Sequence, residues 1–212
     1  MTKVYMVRHC QSMANIGRHL AGHIDYEVSD LGARQLDALA ERFREIRVDK
    51  VYTSPLIRAK KTAQAMARYS QAPVVVEEDL IELDFGDIDG TLMKDHPAEI
   101  RDAWLKTPHT FTPPNGEPWS RVGERAFAAL QRIVAENDGK TIAIATHGCL
   151  LRALNRILLH LREDRLVEVP WSGNTTVHYL QFADAEHWDY ILKNDPSHLP
   201  EELRGPLEHP WQ

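Results

Sequence analysis

The chain has 212 residues, of which 43% are hydrophobic and 26% charged, with two cysteines and a net charge of −6. Such a chain can bury a core without staples, which excludes a disordered or fibrous protein and a disulfide scaffold. The acidic balance argues against broad nucleic-acid binding, and no run approaches the roughly 20 apolar residues of a membrane helix. The N-terminus lacks the apolar length of a signal peptide, so the expectation is a soluble, cytoplasmic protein with no membrane partner.

Taken in chain order, Lys3 to Val7 alternate and carry β-branched side chains, the pattern of a strand. A polar loop runs through Asp25, and Ser29 then caps a helix whose apolar face is Leu36, Leu39, Ala40, Phe43 and Ile46. Val51 to Thr53 is a second strand. Ser54-Pro55 is expected to open the next helix, with Ser54 as N-cap and Pro55 at the first position, running to about Tyr69. Pro73 to Val76 reads as a strand, Asp79 to Gly90 as an acidic loop, and a short helix follows Pro97. Thr107 to Pro118 holds four prolines and a glycine and reads as an irregular excursion. A long helix is expected over about Ser120 to Asn137, a strand over Thr141 to Ala145, and a helix over Gly148 to His160. Thr175 to Phe182 and Trp188 to Leu192 form a hairpin pattern, and a proline-rich stretch from Pro196 is expected to wrap the surface. Alternating strands and helices predict an α/β three-layer sandwich, with a mixed, mainly parallel sheet flanked by helices. With no repeat or composition break, residues 1–212 are read as one domain, with a small cap within 91–120.

In such folds ligands sit beyond the carboxyl ends of the strands. Arg8-His9 follows the first strand, Ser54 and Arg58 the second, Glu82 the third, and Thr146-His147-Gly148 the Thr141 to Ala145 strand. Two arginines, two histidines and a carboxylate thus converge at one end of the sheet. A guanidinium fork binds phosphate oxygens bidentately. A neutral imidazole can attack phosphorus and hold the phosphoryl group. The second histidine can donate to a non-bridging oxygen, and on this reasoning His147 protonates more readily than His9. Glu82 can supply the proton that a departing alkoxide needs, with Asp84 as its nearest rival.

Four blocks carry a resemblance to a known family. Val7-Arg8-His9-Cys10-Gln11-Ser12-Met13-Ala14-Asn15 resembles the RHG signature of the histidine phosphatase superfamily, which includes phosphoglycerate mutases. Tyr52 to Ala59 with Thr62-Ala63, Leu80 to Gly86 with Asp89-Gly90, and Ala145 to Gly148 are similar to its later motifs, in the same order. The resemblance implies a phosphoglycerate mutase-like fold and a phosphomonoesterase working through phosphohistidine on His9. It implies Arg8, Arg58 and His147 as phosphoryl-binding groups, Glu82 as proton donor and Asn15 as a phosphate contact. Gln11, Ser12 and Gly148 fall within the same motifs and join the phosphate-binding set. No metal or cofactor is implied, and the partner is a small phosphorylated metabolite or inorganic phosphate; a homo-oligomer is common for such enzymes. The sequence departs from the family pattern at Cys10, where glycine is usual, at Gln11, often glutamate, at Ile88, commonly tryptophan, and at Glu117-Pro118, usually Glu-Ser.

The short chain favours an open pocket and hydrolysis over a phosphoglycerate-type mutase; a non-catalytic phosphate-binding module is the other alternative. His19 and His23 have metal-ligand spacing only if a helix spans them, which Gly17 and Gly22 oppose. Trp119 and Trp171 are either core or pocket lining. Cys10 and Cys149 flank the two histidines, and a redox link between them is conceivable against the commoner reading of two buried thiols.

Overall fold

Six apolar stretches form one sheet in the computed structural model, which describes residues 1–205. They are β1 (Thr2–Arg8), β2 (Lys50–Thr53), β3 (Val74–Val76), β4 (Thr141–Thr146), β5 (Val177–Phe182) and β6 (Trp188–Asp195). Their order is β3-β2-β4-β1-β5-β6; the first four are parallel, and the β5–β6 hairpin closes one edge antiparallel. The helices are α1 (Met13–Gly17), α2 (Asp30–Phe43), α3 (Ile57–Ala67), α4 (Ala98–Lys106), α5 (Trp119–Glu136) and α6 (Gly148–Leu158). Among the described residues, no helix is long and apolar enough to cross a membrane.

The central strands are buried on both faces, as parallel strands covered by helices are. Val7, Val51 and Ala145 pack with Leu39, Phe43, Ala63 and Met66 of α2 and α3. Met6, Ile142, Ile144 and Leu180 pack with Leu130, Ile133, Leu150 and Leu154 of α5 and α6. Because side chains alternate across a strand, neighbours such as Met6 and Val7 serve opposite cores. The result is the expected three-layer α/β sandwich.

Two expectations at element ends need correction. Ser29 caps α2 as read, accepting from Gly32 N at 3.0 Å. Ser54, however, does not cap α3, whose N-cap is Leu56. The Asp25 carboxylate arrives from a distant loop and accepts from Ile57 N at 2.9 and 3.1 Å. A tertiary cap thus replaces the local one and leaves the Ser54 hydroxyl for other use. The segment from Pro196 does not simply wrap the surface: Leu199 and Leu203 are buried, and Leu203 O accepts from Gln35 Nε2 at 2.9 Å. The part of that stretch from residue 206 onward lies outside the described residues.

Residues 91–120 are anchored on the acidic loop. Trp104 of α4 is buried against Phe85, Phe111, Trp119 and Trp171. Asp87 N donates to Pro114 O, and Glu117 N to Asp84 O, each at 2.9 Å. Trp119, the first residue of α5, is therefore core, packed against Trp104 and Trp171.

Behind β1 lies a buried polar chain. His178 Nε2 stands 2.8 Å from Ser172 Oγ, His178 Nδ1 2.6 Å from the Tyr190 hydroxyl, and that hydroxyl donates to Asn155 Oδ1 at 2.7 Å. Burial holds the His178 imidazole down to about 4, against 6.5 in an exposed histidine. The unfolded chain therefore binds a proton between pH 6.5 and about 4 that the folded chain refuses. Stability is full above pH 6.5 and falls as the pH drops through this window. His178 alone is expected to cost about 2 kcal/mol between pH 7 and pH 5. Urea unfolding of the wild type and His178→Gln at both pH values checks this; an equal loss in both proteins would rule His178 out as the source.

Candidate active site

Strand register sets the floor of the site. β1 pairs with β4 through Arg8 opposite Thr146, and β4 with β2 through Ala145 opposite Thr53. The residues that follow, His9, His147 and Ser54, leave the sheet side by side. His9 N donates to Thr146 O at 2.8 Å and Ser54 N to Ala145 O at 3.1 Å, which fixes their heights.

His9 is 4% exposed, and its Nδ1 lies 2.7 Å from Cys10 O. A carbonyl only accepts, so Nδ1 carries the hydrogen and the lone pair sits on Nε2. Burial, then Arg58 and Arg8, hold this imidazole well below its usual range, so it is neutral near pH 7. A neutral, oriented imidazole is what attack on phosphorus requires. Asn174 Nδ2 donates to His9 O at 2.8 Å, and the next residue, Thr175, donates its amide to Arg8 O at 2.9 Å with φ at 57°. A β-branched residue in the left-handed region is strained, at an order of 1–3 kcal/mol.

The two arginines are held by main-chain carbonyls. Arg58 donates to Ile24 O (3.0 Å), Ala21 O (3.1 Å) and Gly22 O (2.9 Å). The same loop is tied from its amides by Asp89, which accepts from the N–H groups of Gly22, His23 and Ile24 at 2.7–3.1 Å. Gly22 is required here: a Cβ would stand 2.6 Å from Leu83 O. Arg8 Nη1 donates to Ser172 O at 2.6 Å, and its guanidinium lies over Gly148, where a Cβ would be 3.3 Å from Nε. Burial lowers the pKa of both guanidiniums, and Glu82 opposes that shift; at physiological pH both stay cationic.

His147 is fully buried, with its ring centroid 5.1 Å from that of His9. Its Nε2 lies 2.6 Å from Ser54 Oγ. Ser54 Oγ accepts from Leu56 N at 3.4 Å and can donate its own hydrogen to Nε2; in that tautomer the imidazole hydrogen sits on Nδ1. Without substrate His147 is held neutral, like His9. Burial, then Arg58 and His9, push it well below the usual histidine range, as they do His9. The cause is crowding by cations in a dry site.

Three N–H groups of this set are buried and have no hydrogen-bond partner: Arg8 Nε, Arg58 Nε and His147 Nδ1. Such orphans are costly and call for an acceptor. Glu82 is the carboxylate beside them. Its Oε1 accepts from Leu83 N and Leu150 N at 2.9 Å, and its Oε2 from Cys149 N at 3.0 Å. The α6 N-terminus thus carries this carboxylate, as helix starts do.

The remaining sequence candidates divide. Asn15 Oδ1 accepts from Ser12 N (3.0 Å), Ser12 Oγ (3.2 Å) and Asn174 Nδ2 (3.4 Å), so the amide NH2 is the group it can offer a ligand. Gln11 turns to the start of α2, where its Oε1 accepts from Ser29 Oγ at 2.8 Å. The cysteines do not form the conceived redox pair. Cys10 lies against α3, while Cys149 belongs to the α5–α6 core. Burial pushes the Cys10 thiol up to about 11 and holds the Cys149 thiol well above its usual range, so neither supplies the thiolate that oxidation and exchange need. No helix spans His19 and His23: α1 ends at Gly17, and His23 Nε2 stands 3.0 Å from Glu82 O. Ser54, Asp89, Asn174 and Arg125 take part in building the site without having been singled out for it from sequence. For Ser54 the signal was its place at a strand end, which the Ser-Pro helix-start pattern masked.

A sequence model of the histidine phosphatase superfamily (branch 1) matches residues 4–196. The chain is 31% identical to phosphoglycerate mutase-like protein 4 of Arabidopsis thaliana, over 94% of this chain and 87% of that one. It is 30% identical to phosphoserine phosphatase 1 of Hydrogenobacter thermophilus, over 95% and 96%. The fold superposes on mycobacterial glucosyl-3-phosphoglycerate phosphatase with inorganic phosphate at a TM-score of 0.82, with 25% identity, covering 93% of this chain and 99% of that one.

Three orphaned donors are what the oxygens of a tetrahedral oxyanion would satisfy. Phosphate at about 100 times its dissociation constant is expected to stabilise the fold by about 2.7 kcal/mol. For a chain of this size that is a rise of about 5–10 °C in the thermal midpoint. Melting in phosphate against chloride of equal ionic strength checks this; identical midpoints would show that these donors do not take phosphate.

Proposed function

The chain belongs to the histidine phosphatase superfamily and is a phosphoric monoester hydrolase, and from that premise we propose that it acts on small phosphorylated metabolites through a covalent phosphohistidine on His9, without a metal ion. The observation that carries the proposal is the meeting of a neutral His9, free at Nε2, with three unpartnered buried N–H donors on Arg8, Arg58 and His147.

In this mechanism the donors, with Asn15, bind the non-bridging oxygens and set phosphorus in line with His9 Nε2. The N–P bond forms as the ester P–O bond breaks, and the leaving oxygen takes a proton from Glu82. Water then attacks the phosphohistidine. Glu82 accepts the proton of that water, the P–N bond breaks, and inorganic phosphate leaves with His9 neutral again. The incoming dianion reverses the sign of the site, so His147 can be protonated once substrate is bound and donate more strongly.

The reading without a metal ion is supported by the donor set: two guanidiniums, each with an unpartnered buried Nε–H, can supply the positive charge that a phosphoryl group requires. For the substrate class, relatives named as phosphoserine phosphatase and glucosyl-3-phosphoglycerate phosphatase support phosphomonoesters of small hydroxylated or amino acids and their sugar conjugates.

The test is hydrolysis of 4-nitrophenyl phosphate in excess chelator by the wild type and His9→Ala, followed by a panel including phosphoserine and 3-phosphoglycerate. Wild-type turnover is expected to survive chelator, and His9→Ala to lose about 10³-fold or more. Loss of wild-type turnover in chelator overturns the metal-free reading, and full activity in the variant overturns His9 as nucleophile. Return of the phosphoryl group to a second substrate hydroxyl instead of water would make the enzyme a mutase. The acid limb of kcat/KM assigned to His9, corrected for substrate ionisation, is expected well below pH 6.5. A limb at or above 6.5 would contradict the neutral-imidazole geometry.

A further inference from the structure

Arg125 lies on α5, outside the sheet-end motifs, and the proposed chemistry gives it no task. Its guanidinium is nevertheless saturated. Nε and Nη2 donate to the two carboxylate oxygens of Glu117 at 2.8 and 2.9 Å. Nη1 donates to Asp79 O and Ile81 O, both at 2.7 Å, and Nη2 donates to Glu82 O at 3.0 Å. All five N–H donors of the side chain are thus used. Three of them go to main-chain carbonyls of the segment that ends in Glu82. The other two lock the guanidinium plane against a carboxylate whose side chain is 11% exposed. Only a planar fork can meet these five acceptors together; a lysine ammonium has three donors and no plane.

The Glu82 backbone is therefore gripped at its carbonyl by Arg125, while its carboxylate is gripped by the amides of Leu83, Cys149 and Leu150. These two grips fix the direction in which the side chain leaves the main chain. Glu117 also ties the acidic loop through its amide, which donates to Asp84 O at 2.9 Å.

We propose that the Arg125–Glu117 pair is a positioning device that aims the Glu82 carboxyl for proton delivery to the leaving oxygen, and so determines how far the enzyme can act on esters with poor leaving groups. The inference rests on the reading of Glu82 as proton donor. In the step concerned, the ester P–O bond breaks and the leaving oxygen takes the Glu82 proton. A phenolate such as 4-nitrophenolate departs without that proton, whereas an alkoxide does not. Misplacing the carboxyl thus harms alkyl phosphates and spares activated aryl phosphates, a pattern that a general loosening of the fold does not produce.

The experiment measures kcat/KM for the wild type, Glu82→Gln, Arg125→Met and Glu117→Gln on 4-nitrophenyl phosphate and on the best alkyl phosphate of the panel. Glu82→Gln and Arg125→Met are each expected to lower kcat/KM by about 10²-fold or more for the alkyl phosphate and by less than about fivefold for the aryl phosphate; kcat/KM ends at departure of the leaving group, so the later role of Glu82 as base toward water does not enter it. Glu117→Gln, which keeps the Arg125 bonds to the carbonyls, is expected to show the same selectivity at about tenfold. If Glu82→Gln is selective and Arg125→Met lowers both substrates equally, the pair is structural and the inference fails alone. If Glu82→Gln shows no selectivity, the proton-donor reading fails and takes the inference with it. Should Arg125→Met not fold, Glu117→Gln decides: alkyl-selective loss supports the positioning role, and an equal loss or none overturns it.

Discussion

Everything at the carboxyl end of the sheet depends on crowding positive groups into a dry place. Arg8, Arg58, His9 and His147 each lower the cost of binding an anion and raise the cost of one another's charge. In a low-dielectric site that mutual cost is large, and two responses are visible. The groups that can shed a proton do so, which leaves both histidines neutral. The groups that cannot are given carbonyl oxygens and the Glu82 carboxylate as neighbours. The neutral state of the imidazole proposed to react is therefore a product of the same electrostatics that would favour a bound phosphate.

The sheet converts this chemistry into geometry. Parallel pairing of β2, β4 and β1 delivers Ser54, His147 and His9 at one level, so the proposed nucleophile and its neighbours need no long loop to meet. The start of α6 follows His147 at once, and its amides take the carboxylate. A cation cluster and a helix N-terminus would repel one another without that carboxylate between them. Glu82 thus belongs to the electrostatic balance of the fold as well as to the proposed proton transfer.

The strands, the helices with periodic apolar faces and the sheet-end residues were legible in the sequence because each depends on local pattern. His9, Arg58, His147 and Glu82 announced themselves by following strands or lying in the loop beyond one. What was not legible depends on partners far along the chain. Ser54 read as a helix cap because Ser-Pro is a strong local signal, yet Asp25 took that role from a loop 32 positions away. The neutral state of His147 without substrate was not legible, because residue identity says nothing of burial. Gln11 looked like a ligand group by position and is engaged with the cap of α2. The five acceptors around Arg125 come from Glu117 and a stretch some 45 residues earlier, and no spacing rule links them.

Many of the contacts that hold the loops of this site share one habit: side chains grip backbone. Arg58 holds carbonyls of residues 21, 22 and 24, Asp89 the amides of the same loop, Arg8 the carbonyl of Ser172, and Arg125 those of residues 79, 81 and 82. A carbonyl or an amide is the same whatever residue bears it. The loops can therefore exchange most of their side chains, and with them the surface offered to the rest of a substrate, while the handful of gripping residues keeps the proposed phosphate site in place. Divergence in what is bound is uncoupled from divergence in how the phosphoryl group is handled, and a scaffold wired in this way can be re-addressed to new metabolites by drift in its loops alone.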